Sequence, residues 1–152
     1  MQTVLIGDVS ATSDMQALVV ERDMPLVDAV RQFANNHDLR GIFLTGEDGR
    51  LTGVINKVDL LKWVSMQLNQ LPAGEPLSRG QMRRLLKAER AADLAAAGSE
   101  EAAVHLDETV AGALQKMTYY GLTDIPVVDA DGRIVNDLRL SEILAYMLDN
   151  QP

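Results

Sequence analysis

The sequence predicts a mixed α/β (α+β) fold made of two copies of one β-α-β-β-α unit. The first observation is an internal repeat, because the stretch 39–61 recurs near the C-terminus as 122–144. The second is that Asp-Gly-Arg stands between two short apolar runs in each copy, and Asp-Gly between apolar runs is the strongest short signal for a β-hairpin. Two copies are too few for a solenoid, so the units are expected to share one core.

Each copy is predicted to begin with a short extended stretch, at 17–20 in the first unit and at 103–106 in the second. A helix follows, because apolar residues recur at the i, i+3, i+4, i+7 spacing of a buried helix face. These residues are Leu26, Ala29, Val30 and Phe33 in the first copy and Val110, Ala113, Leu114 and Met117 in the second.

The hairpin and a final helix complete each unit. Ile42 is expected to match Pro126, with the one-residue difference in spacing between the copies in the loop at 46–47. The final helices are predicted from about Asp59 to Leu71 and from Ser141 to Leu148.

Residues 71–101 have no counterpart in the repeat. The chain is therefore divided into an N-terminal segment, 1–15, a first unit, 16–70, a helical insert, 71–101, and a second unit, 102–149. The insert favours a helix as far as Gly98. Met82, Leu85 and Leu86 have the spacing of a packed face. Its basic residues are expected to face solvent, or alternatively to form a docking surface or to reach phosphate; they are Arg79, Arg83, Arg84, Lys87 and Arg90.

Composition excludes several classes of protein. A net charge of -8 and an aromatic content of 4% argue against nucleic-acid binding, which needs basic and stacking surfaces. The chain has no cysteine, which excludes disulfides, thiolate zinc sites and iron–sulfur clusters. No apolar stretch approaches the roughly 18 residues of a membrane span, and the start of the chain does not have the pattern of a signal peptide. We expect a cytoplasmic protein without membrane insertion.

No catalytic or metal-binding constellation is visible. Residues 56–59 match the guanine-specificity motif N-K-x-D, but the phosphate-binding loop that GTP chemistry requires is missing. His37 and His105 are the only histidines, and neither stands at a metal-ligand spacing. There is no G-x-S-x-G nucleophile motif. The sequence therefore predicts a protein that is not an enzyme and requires no cofactor.

The repeated unit resembles the cystathionine β-synthase (CBS) domain, and the pair resembles a tandem CBS pair, or Bateman module. The stretch LTDIPVVDADGRIV (122–135) is close to the family's apolar-Pro-Val-Val-Asp…Asp-Gly core, and 49–61 is similar to its Gly-apolar-apolar-Thr-x-x-Asp ending. The resemblance covers about 16–66 and 102–148. It implies two units packed by their sheets about a pseudo-twofold axis, with two clefts between them.

The resemblance implies an adenosine ligand, namely AMP, ADP, ATP or S-adenosylmethionine. In the first copy Asp59 stands where the family's Asp receives the ribose hydroxyls, and Asn56 stands where its Thr contacts phosphate. A carboxylate accepts two hydroxyl hydrogens, and a helix N-terminus favours phosphate. The alternative role for Asp59 is a plain helix N-cap. The ligand-binding residues expected in the first cleft are Asp59, Asn56, Lys57, Val20, Arg40, Gly41 and Ile42.

The second copy departs from the family pattern, since Arg139 and Glu142 replace its Thr and Asp. Glu142 is one methylene longer and would crowd the ribose. Arg139 either binds phosphate or pairs with Asp137 and fills the cleft. The residues expected in this second, weaker cleft are Arg139, Glu142, His105, Asp124, Ile125 and Pro126.

These observations predict a stand-alone regulatory module that senses an adenosine ligand and signals to an unknown effector protein. The alternative is a non-catalytic scaffold or assembly protein with the same fold and no bound nucleotide. A homodimer is expected in either case, because the helix after each hairpin leaves apolar residues uncovered. These residues are Leu60, Leu61, Val64 and Leu68 in the first copy and Ile143, Leu144 and Met147 in the second.

Overall fold

The structure, a computed structural model, describes residues 3–10, 14–68 and 78–150. The predicted mixed α/β fold with two related units is confirmed; Leu71 and the boundary at 70–71 lie outside the described residues. The elements are α1 (Ile6–Ser10), β1 (Ala17–Glu21), α2 (Leu26–Ala34), β2 (Gly41–Thr45), β3 (Leu51–Ile55), α3 (Lys57–Gln67), α4 (Arg79–Leu86), α5 (Ala91–Leu94), a 3-10 turn (Ser99–Ala102), α6 (Val110–Tyr120), β4 (Asp124–Val128), β5 (Ile134–Arg139) and α7 (Leu140–Asp149).

Each unit is built around an antiparallel hairpin, β2–β3 in the first and β4–β5 in the second. The first sheet gains β1, which pairs in parallel with β2. The extended stretch predicted at 103–106 is instead a single parallel bridge between Val104 and Val127. Both hairpin turns place a glycine in the left-handed region, with φ of 79° at Gly49 and 83° at Gly132, a conformation that glycine adopts at little cost.

Strand register defines which residues of the two units are equivalent. Ile42 pairs with Ile55, and Ile125 pairs with Leu138. Ile42 therefore corresponds to Ile125, and its predicted match with Pro126 was wrong by one residue. The difference in length lies between helix and strand, since α6 has 11 residues against 9 in α2 and is followed by a shorter loop. Because β2 and β4 each contain an uninterrupted apolar run, at 42–44 and 125–128, the runs themselves offer no landmark for the register.

Each unit has its own hydrophobic core, and a third cluster joins the two. In that third cluster Ala17, Phe43 and Val54 from the first sheet are packed against Leu122 and Ile134 of the second unit. The two sheets therefore face each other, as the sequence resemblance implied.

The short helix that precedes each unit in the sequence packs on the other unit. α1 lies on the second unit, where Ile6 is fully buried in the core, so the N-terminal segment belongs structurally to that unit. α5 lies in the equivalent place on the first unit. The backbone bonds that hold the two helices are equivalent: the amides of Ile6, Gly7, Ala91 and Ala92 donate to the carbonyls of Glu108, Leu106, Met24 and Arg22, respectively.

Between residues 78 and 98 the insert forms two helices, α4 and α5, and not the single one that its composition favours. Between α4 and α5 the backbone pairs with the first unit, where the amide of Leu26 donates to the carbonyl of Glu89. The Asp93 carboxylate then accepts the amides of Glu89 and Arg90, which caps the new helix. Tertiary hydrogen bonds thus override the helix propensity of this segment.

Helix α4 is attached to the first unit by one face. Leu85 is buried in the first core, as predicted, and Met82 is half-buried. Leu86 is exposed, so the prediction that it packs inward was wrong. Within the helix, Arg79 and Arg83 are exposed.

Candidate ligand clefts between the two units

A cavity of about 240 Å³ lies where the beginnings of α3 and α7 approach each other. A smaller cavity of about 80 Å³ shares Arg40, Lys57 and Thr123 with it. The larger cavity is lined by Arg40, Lys57, Thr123, Arg139, Leu140, Ser141 and Leu144, and the smaller one reaches Gly41, Val54, Ile55 and residues 121–124. The structure thus brings together, in one place, residues that the sequence analysis divided between two clefts. We call the two spaces together the axial cavity.

The larger part of the axial cavity is cationic, although the whole chain has a net charge of -8. Arg40 and Lys57 are exposed, and neither forms an ion pair with any residue in the described ranges. No carboxylate lines the 240 Å³ space, whereas the hydroxyls of Thr123 and Ser141 do. Two uncompensated cations beside hydroxyl donors favour an anion such as phosphate.

Asp59 lies outside the axial cavity. Its Oδ2 is 2.9 Å from a guanidinium nitrogen of Arg84 in α4, and the two side chains are 20% and 39% exposed, respectively. Both line a space of only about 50 Å³ beneath α4. Arg84 was not predicted as the partner of Asp59, because its only signal in the sequence is membership of the basic insert.

Asn56 links the two units by a hydrogen bond. Its Oδ1 accepts the Val58 amide at 2.7 Å and caps α3, and its Nδ2 donates to the Tyr120 carbonyl at 2.7 Å. Gly121 follows with φ of 65°, and a Cβ there would lie 3.3 Å from Asn56 Nδ2. Both ends of the Asn56 amide are therefore engaged within the chain.

Glu142, the residue of the second unit that is equivalent to Asp59, also forms an ion pair. Arg139 Nε lies 3.1 Å from Glu142 Oε1 and 3.9 Å from Asp137 Oδ2. The side chains of Arg139 and Glu142 are each only 9% exposed. The predicted pairing of Arg139 with Asp137 is present at 3.9 Å, but its shorter contact, with Glu142, was not predicted, and Arg139 lines the 240 Å³ space without filling it. At both equivalent positions, then, a carboxylate is matched by an arginine.

Asp124 is a buried carboxyl beside this pair. Burial, followed by the neighbouring Asp137 carboxyl, raises the pKa of Asp124 to about 9. Among the described residues no donor reaches either of its oxygens. A protonated Asp124 can share its hydrogen with Asp137, which explains how two carboxyl groups lie together inside the fold.

The remaining residues expected in the clefts lie elsewhere. Val20, Ile42 and Ile125 belong to the cores of their units, and Pro126 is buried in β4. His105 lines a separate, open depression along α6. None of the five lines the axial cavity or the space at Asp59.

The family model of the CBS domain matches two segments of the chain, 6–66 and 97–149. A CBS domain-containing protein from Thermotoga maritima is 25% identical, with 99% of each chain covered and a TM-score of 0.77. The CBS domain pair of protein MJ0100, solved with 5′-methylthioadenosine and S-adenosyl-L-methionine, is 17% identical over 99% of this chain and 100% of that one, with a TM-score of 0.66. CBSX2, solved with AMP, is 20% identical over 96% and 97% of the two chains, with a TM-score of 0.68.

None of the curated proteins compared with the chain matches it in sequence. No helix in the described ranges has both the length and the apolar character that crossing a membrane requires. Over the same residues, no three histidine or acidic side chains are grouped so as to hold a metal ion.

Proposed function

Because the chain belongs to the CBS domain family, we propose that it is a regulatory module that binds an adenosine ligand between its two units and signals to another protein. The observation that carries the proposal is the axial cavity, where Arg40 and Lys57 form no ion pair with any residue that the structure describes. The two cations hold the ligand's phosphate. Asp59 lies outside the cavity lining but only two residues after Lys57 in the first turn of α3, and it receives the ribose once Arg84 has released it.

The chemistry of the axial cavity favours a phosphorylated ligand. AMP, ADP and ATP carry the negative charge that Arg40 and Lys57 attract, whereas S-adenosylmethionine carries a positive sulfonium and no phosphate. The cavities of about 240 and 80 Å³ together reach the lower end of the roughly 300–1,000 Å³ typical of small-molecule sites. Two structures of similar fold support an adenosine compound, because MJ0100 was solved with two of them and CBSX2 with AMP.

Such a module acts by binding and needs no chemistry of its own. A ligand changes the output of a protein when it binds two conformations with different affinity. The axial cavity spans both units, so a ligand there favours one relative arrangement of the units. An effector protein that recognises that arrangement receives the signal.

Calorimetry with AMP, ATP and S-adenosylmethionine tests the proposal. We expect AMP and ATP to bind and S-adenosylmethionine to bind more weakly. The double variant Arg40→Gln/Lys57→Gln should lose about tenfold or more in affinity for AMP, because hydrogen bonds to charged groups contribute about 1.5–3 kcal/mol each. Arg22→Gln is the matched control, since Arg22 is exposed and lines neither part of the axial cavity. Absence of binding by the parent protein at millimolar ligand would overturn the proposal.

A scaffold without nucleotide is the second candidate. It is favoured by the two ion pairs, Asp59–Arg84 and Glu142–Arg139, which give each carboxylate an arginine partner from within the chain. Thermal unfolding separates the candidates, because a bound ligand raises the Tm in proportion to the logarithm of its concentration above Kd. A Tm unchanged by all three compounds favours the scaffold.

A further inference from the structure

We propose that helix α4 is a built-in gate at Asp59, in which Arg84 binds the carboxylate that the ribose of an adenosine ligand must reach. The inference rests on the proposed function, because it assigns a form of regulation to the same site. Ligand binding and the docking of Arg84 then exclude each other.

The contact itself is direct. Asp59 Oδ2 lies 2.9 Å from the guanidinium, and the Asp59 side chain retains only 20% of its exposure. A guanidinium and a pair of ribose hydroxyls are both hydrogen-bond donors that seek the same carboxylate oxygens. In a space of about 50 Å³ that Arg84 already lines, a ribose reaches Asp59 only after the arginine has left.

In the second unit the carboxylate at the equivalent position, that of Glu142, is permanently paired with an arginine. Arg139 and Glu142 are three residues apart, and each is only 9% exposed, so their ion pair is part of the folded core of that unit. The Arg84 side chain is 39% exposed and belongs to a helix outside the repeat. Because partly exposed ion pairs contribute little stability, the Asp59–Arg84 pair can open without unfolding the domain.

Helix α4 has the local features of an element that keeps its shape while its contacts change. Its first turn has a complete capping box, in which Ser78 and Gln81 satisfy each other's backbone amides. A single fully buried side chain, Leu85, attaches it to the first core. Opening of the gate therefore shifts α4 and the exposed basic residues Arg79 and Arg83 that it carries, and this shift is the output that an effector protein detects.

Calorimetry with AMP and ATP on two neighbouring variants tests the gate. Arg84→Ala removes the competitor, so both nucleotides should bind about two- to fivefold more tightly than they bind the parent, the range expected for loss of a weak ion pair. Arg83→Ala removes the same charge from an exposed neighbour that has no ion pair in the described ranges, and its affinity should equal that of the parent. Weaker binding by Arg84→Ala than by Arg83→Ala would mean that Arg84 contacts the ligand, and unchanged binding would mean that it does not compete; either result overturns the gate.

Hydrogen exchange of the α4 amides separates failure of the gate from failure of the proposed function. Without any ligand, Arg84→Ala and Asp59→Asn should each speed exchange in α4, and Arg83→Ala should not. With saturating AMP, the parent should show the same faster exchange. If AMP and ATP bind while α4 exchange stays unchanged, the gate is wrong and the proposed function stands. If neither nucleotide binds the parent or Arg84→Ala, both the proposed function and the gate fail. This conclusion holds whether or not the hydrogen exchange of α4 responds to loss of the ion pair.

Discussion

The carboxyl of Asp124 makes the stability of the fold depend on pH. The groups that face it are Asp137 and Arg139 from β5 and Glu142 from α7, and the backbone of Gly41 approaches it from β2. Burial, then the Asp137 carboxyl, raises its pKa to about 9, against about 3.9 in an unfolded chain. The folded protein thus holds this proton more tightly than the unfolded one. The resulting stabilisation is complete below about pH 4 and is lost progressively as the pH rises through 9.

We therefore expect Asp124→Asn to weaken the pH dependence of the Tm. The amide keeps the shape of the protonated carboxyl, cannot ionise, and can donate to Asp137 Oδ1, which has no partner among the described residues. The Tm of the parent protein should fall between pH 6 and pH 9, and that of the variant should fall much less. Scanning calorimetry at pH 6, 7.5 and 9 measures this, with the exposed carboxylate change Asp131→Asn as control. Parallel Tm curves for all three proteins would contradict the assignment.

Individual residues also show which parts of the site can be read from sequence. The position of Asp59 at the start of a helix follows from its place after an apolar run. The approach of Arg139 to Asp137 follows from strand alternation, whereas its shorter contact with Glu142 of the next helix does not. The partner of Asp59 does not follow, because Arg84 belongs to an insert whose docking is decided by Leu85 and the first core. Charge spacing along a chain does not determine contacts between distant elements.

At the scale of elements, the 3-10 turn closes the open edge of the first sheet. Ser99 Oγ accepts the buried amide of Val54 at 2.9 Å. Gly53 allows this approach, since a Cβ there would lie 3.2 Å from Ala95 Cβ and 3.3 Å from Ser99 Oγ. The segment between the two units thus provides a structural contact that no strand of the first unit provides.

Ser99→Ala should lower the free energy of unfolding by about 1–3 kcal/mol, because it leaves a buried amide without an acceptor. Ser65→Ala is the matched control, since the Ser65 hydroxyl is exposed on α3 and donates only to the Leu61 carbonyl of its own helix. Urea unfolding followed by circular dichroism gives both values. Equal small losses in the two variants would show that water or a shifted backbone satisfies Val54.

A second prediction concerns helix α1 and its contribution to the core of the second unit. Ile6→Ala should lower the free energy of unfolding by about 2–5 kcal/mol, the usual range when a large aliphatic side chain is removed from a core. Leu5→Ala, at the exposed neighbouring position, should lower it far less. A small effect of Ile6→Ala in the same urea experiment would mean that α1 does not contribute to the core of the second unit.

Local signals and long-range contacts explain which elements were predicted correctly. The two hairpins and the four helices around them are encoded by Asp-Gly turns and by apolar spacing within a few residues, and all of them are present. The interruption between α4 and α5, and the exchange of α1 and α5 between units, depend on backbone bonds to residues far away in the chain, such as that of Leu26 with Glu89. No local pattern carries that information.

At the scale of the whole molecule, the apolar surface of α3 and α7 is larger than the monomer covers. Leu61 and Leu148 are 63% and 64% exposed. Beside Leu61 an apolar cavity of about 340 Å³ lies between α2 and α3, lined by Phe33 and Trp63 among others. Exposed apolar surface of this kind is typical of a contact site between chains, and twofold dimers are the commonest closed assembly.

We expect a homodimer in solution, formed through these faces of α3 and α7. Sedimentation velocity at tens of micromolar, on the order of ordinary assay concentrations, should show a single dimeric species for the parent. Leu61→Glu/Leu148→Glu should sediment as a monomer while keeping its circular dichroism spectrum, because a charge at the centre of an apolar contact is buried without a partner. Tyr119→Glu provides the control, since Tyr119 is the most exposed large side chain on α6 and belongs to neither α3 nor α7, and its change should leave the dimer intact. A parent protein that sediments as a monomer would contradict the prediction, and a dimer that survives the double substitution would place the interface on another surface.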